Sequence, residues 1–436
     1  LASGIALSLL VAADLSALVD FDHDGVSDLW RELYSNAGAP DADPDGDGAS
    51  NLAESFAGTD PFSASSRLVA YALENDASGN LVLRWAGLPG KRYRIDSTTN
   101  LVTWTLGTEL LTAAQSPHIV RPFGATPRPQ QFWRVTAIDI DTDGDGVNDW
   151  EEARLGSDPF VPAIMLQSHF VPFGMCFGDI SAAEQISRCQ SRGFTGLGIQ
   201  QFDLDSLKAF AANAEVASGR FKIYSALWFV NTDAVFTTAA ITDLKPKLAE
   251  LQKMKAYLWM VFDTNSGNAV ALNNAVANAR KVADACALYG VTLVIYPHGG
   301  CAFYKAEQAK GYLPQINRAN VKLSIHLCHE LMAGNGSRIA AVVDAVKSDI
   351  VLASVCGSDT AINPDDNWAS QIQPLDRGDY DVAPFLQALA AAGYAGPMEL
   401  HTYNLGDPGV TPTAADHLTR SMKKWRTLVA PTAHVP

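Results

Sequence analysis

"VIYPHGGCAF", residues 294–303, is a β-branched apolar run that stops at a histidine and two glycines. "LSIHLCHEL", residues 323–331, repeats that ending with His326 and His329. Working outward, apolar strand-like runs recur eight times: 170–178, 194–200, 221–230, 256–263, 291–298, 321–329, 350–358 and 396–403. The stretches between them, such as "AVALNNAVANARKVADACALYG" (269–290), carry apolar residues at helical spacing and close on a glycine. Eight such units from residue 164 to 436 predict a (β/α)8 TIM barrel. A doubly wound nucleotide-binding sheet is disfavoured, because the "GLG" of the second run has no GxGxxG around it.

In such a barrel the active site gathers at the C-terminal ends of the strands. Four of the chain's nine histidines fall there, His298, His326, His329 and His401, together with Tyr296, Asp263, Cys356, Asp359 and Glu399. One histidine at a strand end is ordinarily structural. Four at one rim need a metal, a substrate or acid partners to satisfy their nitrogens, so the pattern predicts a functional pocket. Period-two alternation puts Glu399 and His401 on one face of the last strand.

The N-terminal third reads differently. "DADPDGDGASNLAE" (41–54) supplies Asp43, Asp45, Asp47, Asn51 and Glu54 at positions 1, 3, 5, 9 and 12 of a calcium loop, with Gly48 at the bend. "DTDGDGVNDWEE" (141–152) repeats the spacing with Asp141, Asp143, Asp145, Asp149 and Glu152 around Gly146. A first loop offers Asp20, Asp22, Asp24 and Asp28, but Arg31 stands at its twelfth position and the acid has slipped to Glu32. Alternate carboxylates wrap a hard cation, and the last acid closes the shell. A solvated acidic linker without metal is the alternative. Between the loops, residues 65–138 alternate apolar and polar, predicting a small all-β sandwich.

Net charge is −15, concentrated in these loops: 18–64 holds eleven acids against Arg31, and 139–160 holds eight against Arg154. The remainder is slightly positive without a basic stripe, which argues against nucleic acid as a partner. Residues 1–17 read as the remnant of an export signal, or as a buried N-terminal helix, and no run reaches the length of a membrane span. The six cysteines form neither CxxC pairs nor an even ladder, so no disulfide scaffold is expected. The expected organisation is therefore 1–17 signal remnant, 18–64 calcium repeats, 65–138 sandwich, 139–163 calcium-repeat linker and 164–436 barrel.

The acidic loops, with the trailing "GTDP" (58–61) and "GSDP" (156–159), resemble thrombospondin type 3 repeats. The barrel resembles the xylose isomerase-like family of sugar phosphate isomerases and epimerases, through "IYPHGG", "LCHEL", "PLDRGDYD" (374–381) and "GYAGPMELHTYN" (393–404). Members of that family usually hold one divalent metal with Glu, Asp, His and Glu from strands five to eight. Carried over by position, those ligands fall on Tyr296, His326, Cys356 and His401, with His329 and Asp359 retained. Either the metal is lost, or this altered set takes a softer, zinc-like ion. Magnesium and manganese are excluded by the loss of hard oxygen ligands.

What the resemblance implies is proton transfer next to a carbonyl, or elimination, on a sugar or polyol. His298, His329, Glu399 and His401 are the catalytic candidates, and Asp263, Lys305 and Asp359 the substrate-binding ones. The competing expectation is a catalytically inactive carbohydrate-binding or cell-surface module on a calcium-stiffened stalk. Either protein would be secreted, periplasmic or held at the cell envelope.

Overall fold

A computed structural model describes residues 19–20, 24–68, 70–75, 81–107, 110–112, 118–123, 131–264, 269–363 and 365–429. The expected signal remnant and Asp22 lie outside the described residues. The chain divides into two compact units, Leu1–Ala163 and Ile164–Pro436.

In the first unit, strands Ala70–Asn75, Leu81–Ala86 and His118–Phe123 form one antiparallel sheet. Strands Lys91–Thr98, Leu110–Thr112 and Phe132–Asp139 form the other. Leu83 and Trp85 of one sheet share a core with Tyr93, Val135 and Ala137 of the other, which makes the pair a sandwich. Trp85 and Tyr93 meet edge to face inside it, 5.9 Å apart. Trp85 and Tyr93 thus serve the core. Each of the two well-formed acidic loops runs into a short helix, Asn51–Ala57 or Asp149–Leu155, capped by Ser50 or Asn148.

The second unit is the barrel. Its strands are β1 (Phe170–Pro172), β2 (Gly196–Ile199), β3 (Lys222–Asn231), β4 (Tyr257–Asp263), β5 (Leu293–Ile295), β6 (Val321–His326), β7 (Ile350–Val355) and β8 (Met398–Leu400). Neighbours pair in parallel from β2 round to β8 and back to β1. A bridge between Phe173 and Gly198 completes the circuit between β1 and β2. The two faces of each strand have different destinations. On β4, Leu258, Met260 and Phe262 pack outward with the helices, whereas Trp259 and Val261 join Phe173, Val294, Tyr296 and Leu352 inside. Both faces are buried, which is why the runs are apolar throughout.

Several expected strands end early: β5 stops at Ile295, β7 at Val355 and β8 at Leu400, and two others turn helical. β1 stops at Pro172 and gives way to a 3-10 turn over Gly174–Phe177. β6 stops at His326, and Leu327–Met332 is helical. The ladder to β7 ends at the His326–Ser354 pair, and Leu, Glu and Met then favour a helix. His329 is therefore a helix residue and not the end of a strand.

Candidate active site

Four imidazoles meet at the C-terminal ends of the strands. His298 and His329 ring centroids are 4.1 Å apart, His326 and His329 4.7 Å, and His326 and His401 4.5 Å. Tyr296 is stacked between Trp259, at 4.1 Å, and His326, at 5.4 Å.

Hydrogen bonds fix the proton on two of the rings. The Gly299 carbonyl can only accept, so His298 carries its proton on Nδ1, 2.9 Å away, and Nε2 keeps the lone pair. His329 is the opposite case. The Gly299 amide donates to its Nδ1 at 3.3 Å, so its proton sits on Nε2 and is donated to the Tyr296 hydroxyl at 3.2 Å. With its oxygen accepting from His329, the Tyr296 hydroxyl is free to donate its own hydrogen elsewhere.

Burial keeps all four rings uncharged near neutrality. It lowers His298 below the ordinary histidine value, holds His326 and His329 well below it, and pushes His401 down to about 3. Neighbouring imidazoles add to the effect at His326, His329 and His401. Glu399 lies inside the barrel, where its Oε1 accepts a 2.5 Å bond from Ser225 on β3. Burial raises this carboxyl to about 8, so it is mainly protonated at neutral pH, and its Oε2 has no partner.

A cavity of about 680 Å³ opens beside the cluster. Tyr296, His298 and His401 line it, together with the aromatic rings of Phe202, Trp228, Trp368 and Tyr403. That volume and lining suit a small ligand with both apolar faces and polar edges. Trp368 is held by backbone of unusual conformation: Asn367 and Trp368 have φ of 53° and 72°. Its ring sits 5.8 Å from His298 and 5.7 Å from His329.

The other sequence candidates lie at varied distances from this centre. His326, His329 and Glu399 are buried behind the cavity wall. Asp263 accepts from the Thr264 amide at 2.9 Å and from the Cys301 thiol at 3.8 Å. Lys305 precedes the helix Ala306–Ile316 with its ammonium over Tyr304. The Asp359 amide donates to the Ser370 carbonyl at 2.7 Å. None of these three lines the cavity. Cys356 is buried, its thiol 3.4 Å from the Gln371 carbonyl. Cys328, which the sequence reading passed over, places its sulfur with ring nitrogens of His326 and His401, all within 4.8 Å of one another. The H-x-C-H run over 326–329 was the available signal. Trp368 and Ser225 were also missed, and nothing in their local sequence marks them.

The family's hard-metal site does not fit these residues. Its four positions present a phenol, two imidazoles and a thiol, and the nearby carboxyl, Glu399, is protonated and held by Ser225.

The acidic loops fit a hard ion. Asp43, Asp45 and Asp47 bring carboxylate oxygens within 4.8 Å of one another, as do Asp141, Asp143 and Asp145. Asp43 accepts from the amides of Gly46 and Gly48, and Asp141 from those of Gly144 and Gly146. Gly48 and Gly146, at φ of 92° and 90°, make the bend that a side chain would resist. Buried oxygens of Asp45, Asp47, Asn51, Glu54, Asp143 and Glu152 have no partner. Burial, with the neighbouring aspartates adding, pushes Glu54 and Glu152 up to about 7. Asp149 instead accepts from the Thr142 amide and hydroxyl. In the first loop Asp20 accepts from the Gly25 amide, Asp28 starts the helix Asp28–Leu33, and Asp24 is ion-paired with Arg31.

Comparison with known proteins agrees with this architecture. The bacterial TSP3 repeat model matches residues 43–64 and 141–162, so the chain carries two such repeats. No curated protein matches the chain. Solved structures similar to it include a xylose isomerase domain-containing protein from Salmonella typhimurium, with 13% identity over 61% of this chain and 99% of that one, at a TM-score of 0.49. A 3-keto-D-glucoside 4-epimerase from E. coli shares 13% identity over 60% of this chain and 99% of its own, at 0.47. A D-allulose 3-epimerase from Methylomonas sp. shares 16% over 61% and 97%, also at 0.47. The xylose isomerase-like TIM barrel model matches residues 182–425, more than half of the sequence, and the chain belongs to that family.

Proposed function

We propose that the barrel is a sugar or polyol isomerase/epimerase-like, or lyase-like, enzyme that moves a proton next to a carbonyl. The observation that carries this reading is the pairing, on one cavity wall, of a neutral imidazole whose Nε2 lone pair is free with a phenol whose hydrogen is free. His298 Nε2 takes the proton from the carbon beside the carbonyl. The electrons move into the carbon–oxygen unit, and the Tyr296 hydroxyl donates to the oxygen as it becomes an enolate. His329 orients Tyr296. Delivery of the proton to the former carbonyl carbon, while the neighbouring hydroxyl gives its proton to the Tyr296 oxygen, gives isomerisation. Return of the first oxygen's proton to Tyr296, with protonation of the original carbon from solvent on its opposite face, gives epimerisation. His329 and Glu399 are less suited to act as the base: one has its lone pair engaged by Gly299, and the other is protonated.

The test is a screen of keto-sugars and inositols in deuterated water. Solvent deuterium entering the carbon beside the carbonyl is expected, and it disappears in His298→Gln. A second reading is favoured by the replacement of all four family metal positions: a carbohydrate-binding module without turnover. Sugar binding without exchange in the wild-type chain would establish that reading and remove the enzymatic one.

Calcium belongs, on this proposal, to the two TSP3 repeats, where Asp43, Asp45, Asp47, Asn51 and Glu54, and Asp141, Asp143, Asp145 and Glu152, supply the oxygens; Asp149 acts through its bond to Thr142. Its role is to stiffen the loops. Such repeats suit a secreted, periplasmic or envelope-associated protein. Among the described residues, no helix is long and apolar enough to cross a membrane.

A further inference from the structure

We infer that the barrel holds a zinc-class divalent cation through His326, Cys328 and His401. The donor atoms, one ring nitrogen from each histidine and the Cys328 sulfur, lie within 4.8 Å of one another in a fully buried setting. Both ring nitrogens of His326, and Nδ1 of His401, have no hydrogen-bond partner. Buried polar atoms are almost always paired, so unpartnered nitrogens on two histidines that each bring one ring nitrogen close to a thiol point to a guest. The donor set says which guest. Imidazole and thiolate are ligands of borderline and soft cations, not of magnesium, manganese or calcium.

Geometry supports the assignment. Zinc bonds of about 2.0–2.1 Å to nitrogen and about 2.3 Å to sulfur place tetrahedral donors about 3.4–3.6 Å apart. Side-chain movement of about 1 Å closes the present set around an ion. The end of β6 makes the site: His326 is the last strand residue, and Cys328 lies in the first turn of the helix that follows. His401 comes from just beyond β8 and also lines the cavity. Cys356 stands beside the set and not in it: its thiol is 3.4 Å from the Gln371 carbonyl and also hydrogen-bonded with Cys328, while the mutual group is His326, Cys328 and His401. On binding, the Cys328 thiol releases its proton to solvent and its sulfur bonds to the ion, with no change of oxidation state. Three protein donors are the number found in catalytic zinc sites.

This inference does not rest on the isomerase reading, and its test is spectroscopic. The full chain is stripped with a chelator, supplied with excess calcium to occupy the acidic loops, and titrated with cobalt(II) as a coloured substitute for zinc. One cobalt per chain with an intense near-ultraviolet thiolate-to-cobalt band is expected, displaced by one equivalent of zinc. Cys328→Ser should lose the band and weaken binding by about tenfold or more, while Cys356→Ser keeps both. Cobalt binding without a thiolate band, a band that survives Cys328→Ser, or one lost only in Cys356→Ser would overturn the assignment. Should Cys328→Ser fail to fold, the wild-type band decides by its presence or absence.

Discussion

An alanine at Gly198 would set its Cβ 2.5 Å from Oε1 of Glu399 and 2.8 Å from Oγ of Ser225. Glu399 and Ser225 are wholly buried and bonded to each other, so neither can withdraw into solvent. Overpacking of this kind costs about 1–3 kcal/mol. Displacing the Ser225–Glu399 hydrogen bond adds about 1 kcal/mol. Gly198→Ala should therefore destabilise the barrel by about 2–4 kcal/mol. Gly311→Ala is the matched control. Gly311 lies inside the helix Ala306–Ile316, nothing stands within 4 Å of its added Cβ, and alanine is preferred there by about 1 kcal/mol. Urea titrations of the full chain, followed by tryptophan fluorescence at fixed calcium and pH 7, should shift in opposite directions for the two variants. A Gly198→Ala protein as stable as the wild type would refute the placement of Glu399 over Gly198, and with it the interior layer beneath the imidazoles.

Other outcomes follow from the same coordinates. His417 is buried at the start of the helix His417–Leu428, near Asp407, Asp416 and Arg192, and burial pushes it down to about 4. The unfolded chain then binds a proton that the folded chain refuses, so the stability from this residue is complete above about pH 6.5 and is lost as pH falls through 4. Up to about 3 kcal/mol is at stake, and urea midpoints at pH 7.5 and 4.5 should differ less in His417→Gln than in the wild type. Arg31 already neutralises Asp24 in the first acidic loop. Calorimetric titration should find two calcium ions per chain, rising to three in Arg31→Glu, where an acid again closes the loop. Trp368→Ala should weaken sugar binding by about three- to tenfold, the value of one aromatic face, which a binding isotherm would read.

Much of this was legible in the sequence because the signals are periodic or regularly spaced. Burial on both faces gives the barrel its eight apolar runs, and the D-x-D-x-D-G spacing is the geometry of the cation loop itself. Strand ends place His298, His326 and His401 near one rim, whereas His329 comes from the helix after β6. What was hidden depends on atoms brought together from distant segments. Ser225 meets Glu399 across the barrel, 174 residues away, and Trp368 reaches the cavity from an irregular loop with two left-handed residues. His329 and Cys328 were misread for a local reason: the strand was carried on to residue 329, although the chain turns helical at Leu327. That turn aims Cys328 at His326 and His401. Positional transfer from the family points to Cys356, whose thiol lies 3.4 Å from the Gln371 carbonyl.

The state of the imidazoles bears most directly on the proposed chemistry. Long-range nitrogen–proton NMR of ¹⁵N-histidine-labelled protein at pH 7 should show His298 protonated on Nδ1 alone and His329 on Nε2 alone. A His298 ring protonated on Nε2, or on both nitrogens, would leave no base on the cavity wall and contradict the mechanism.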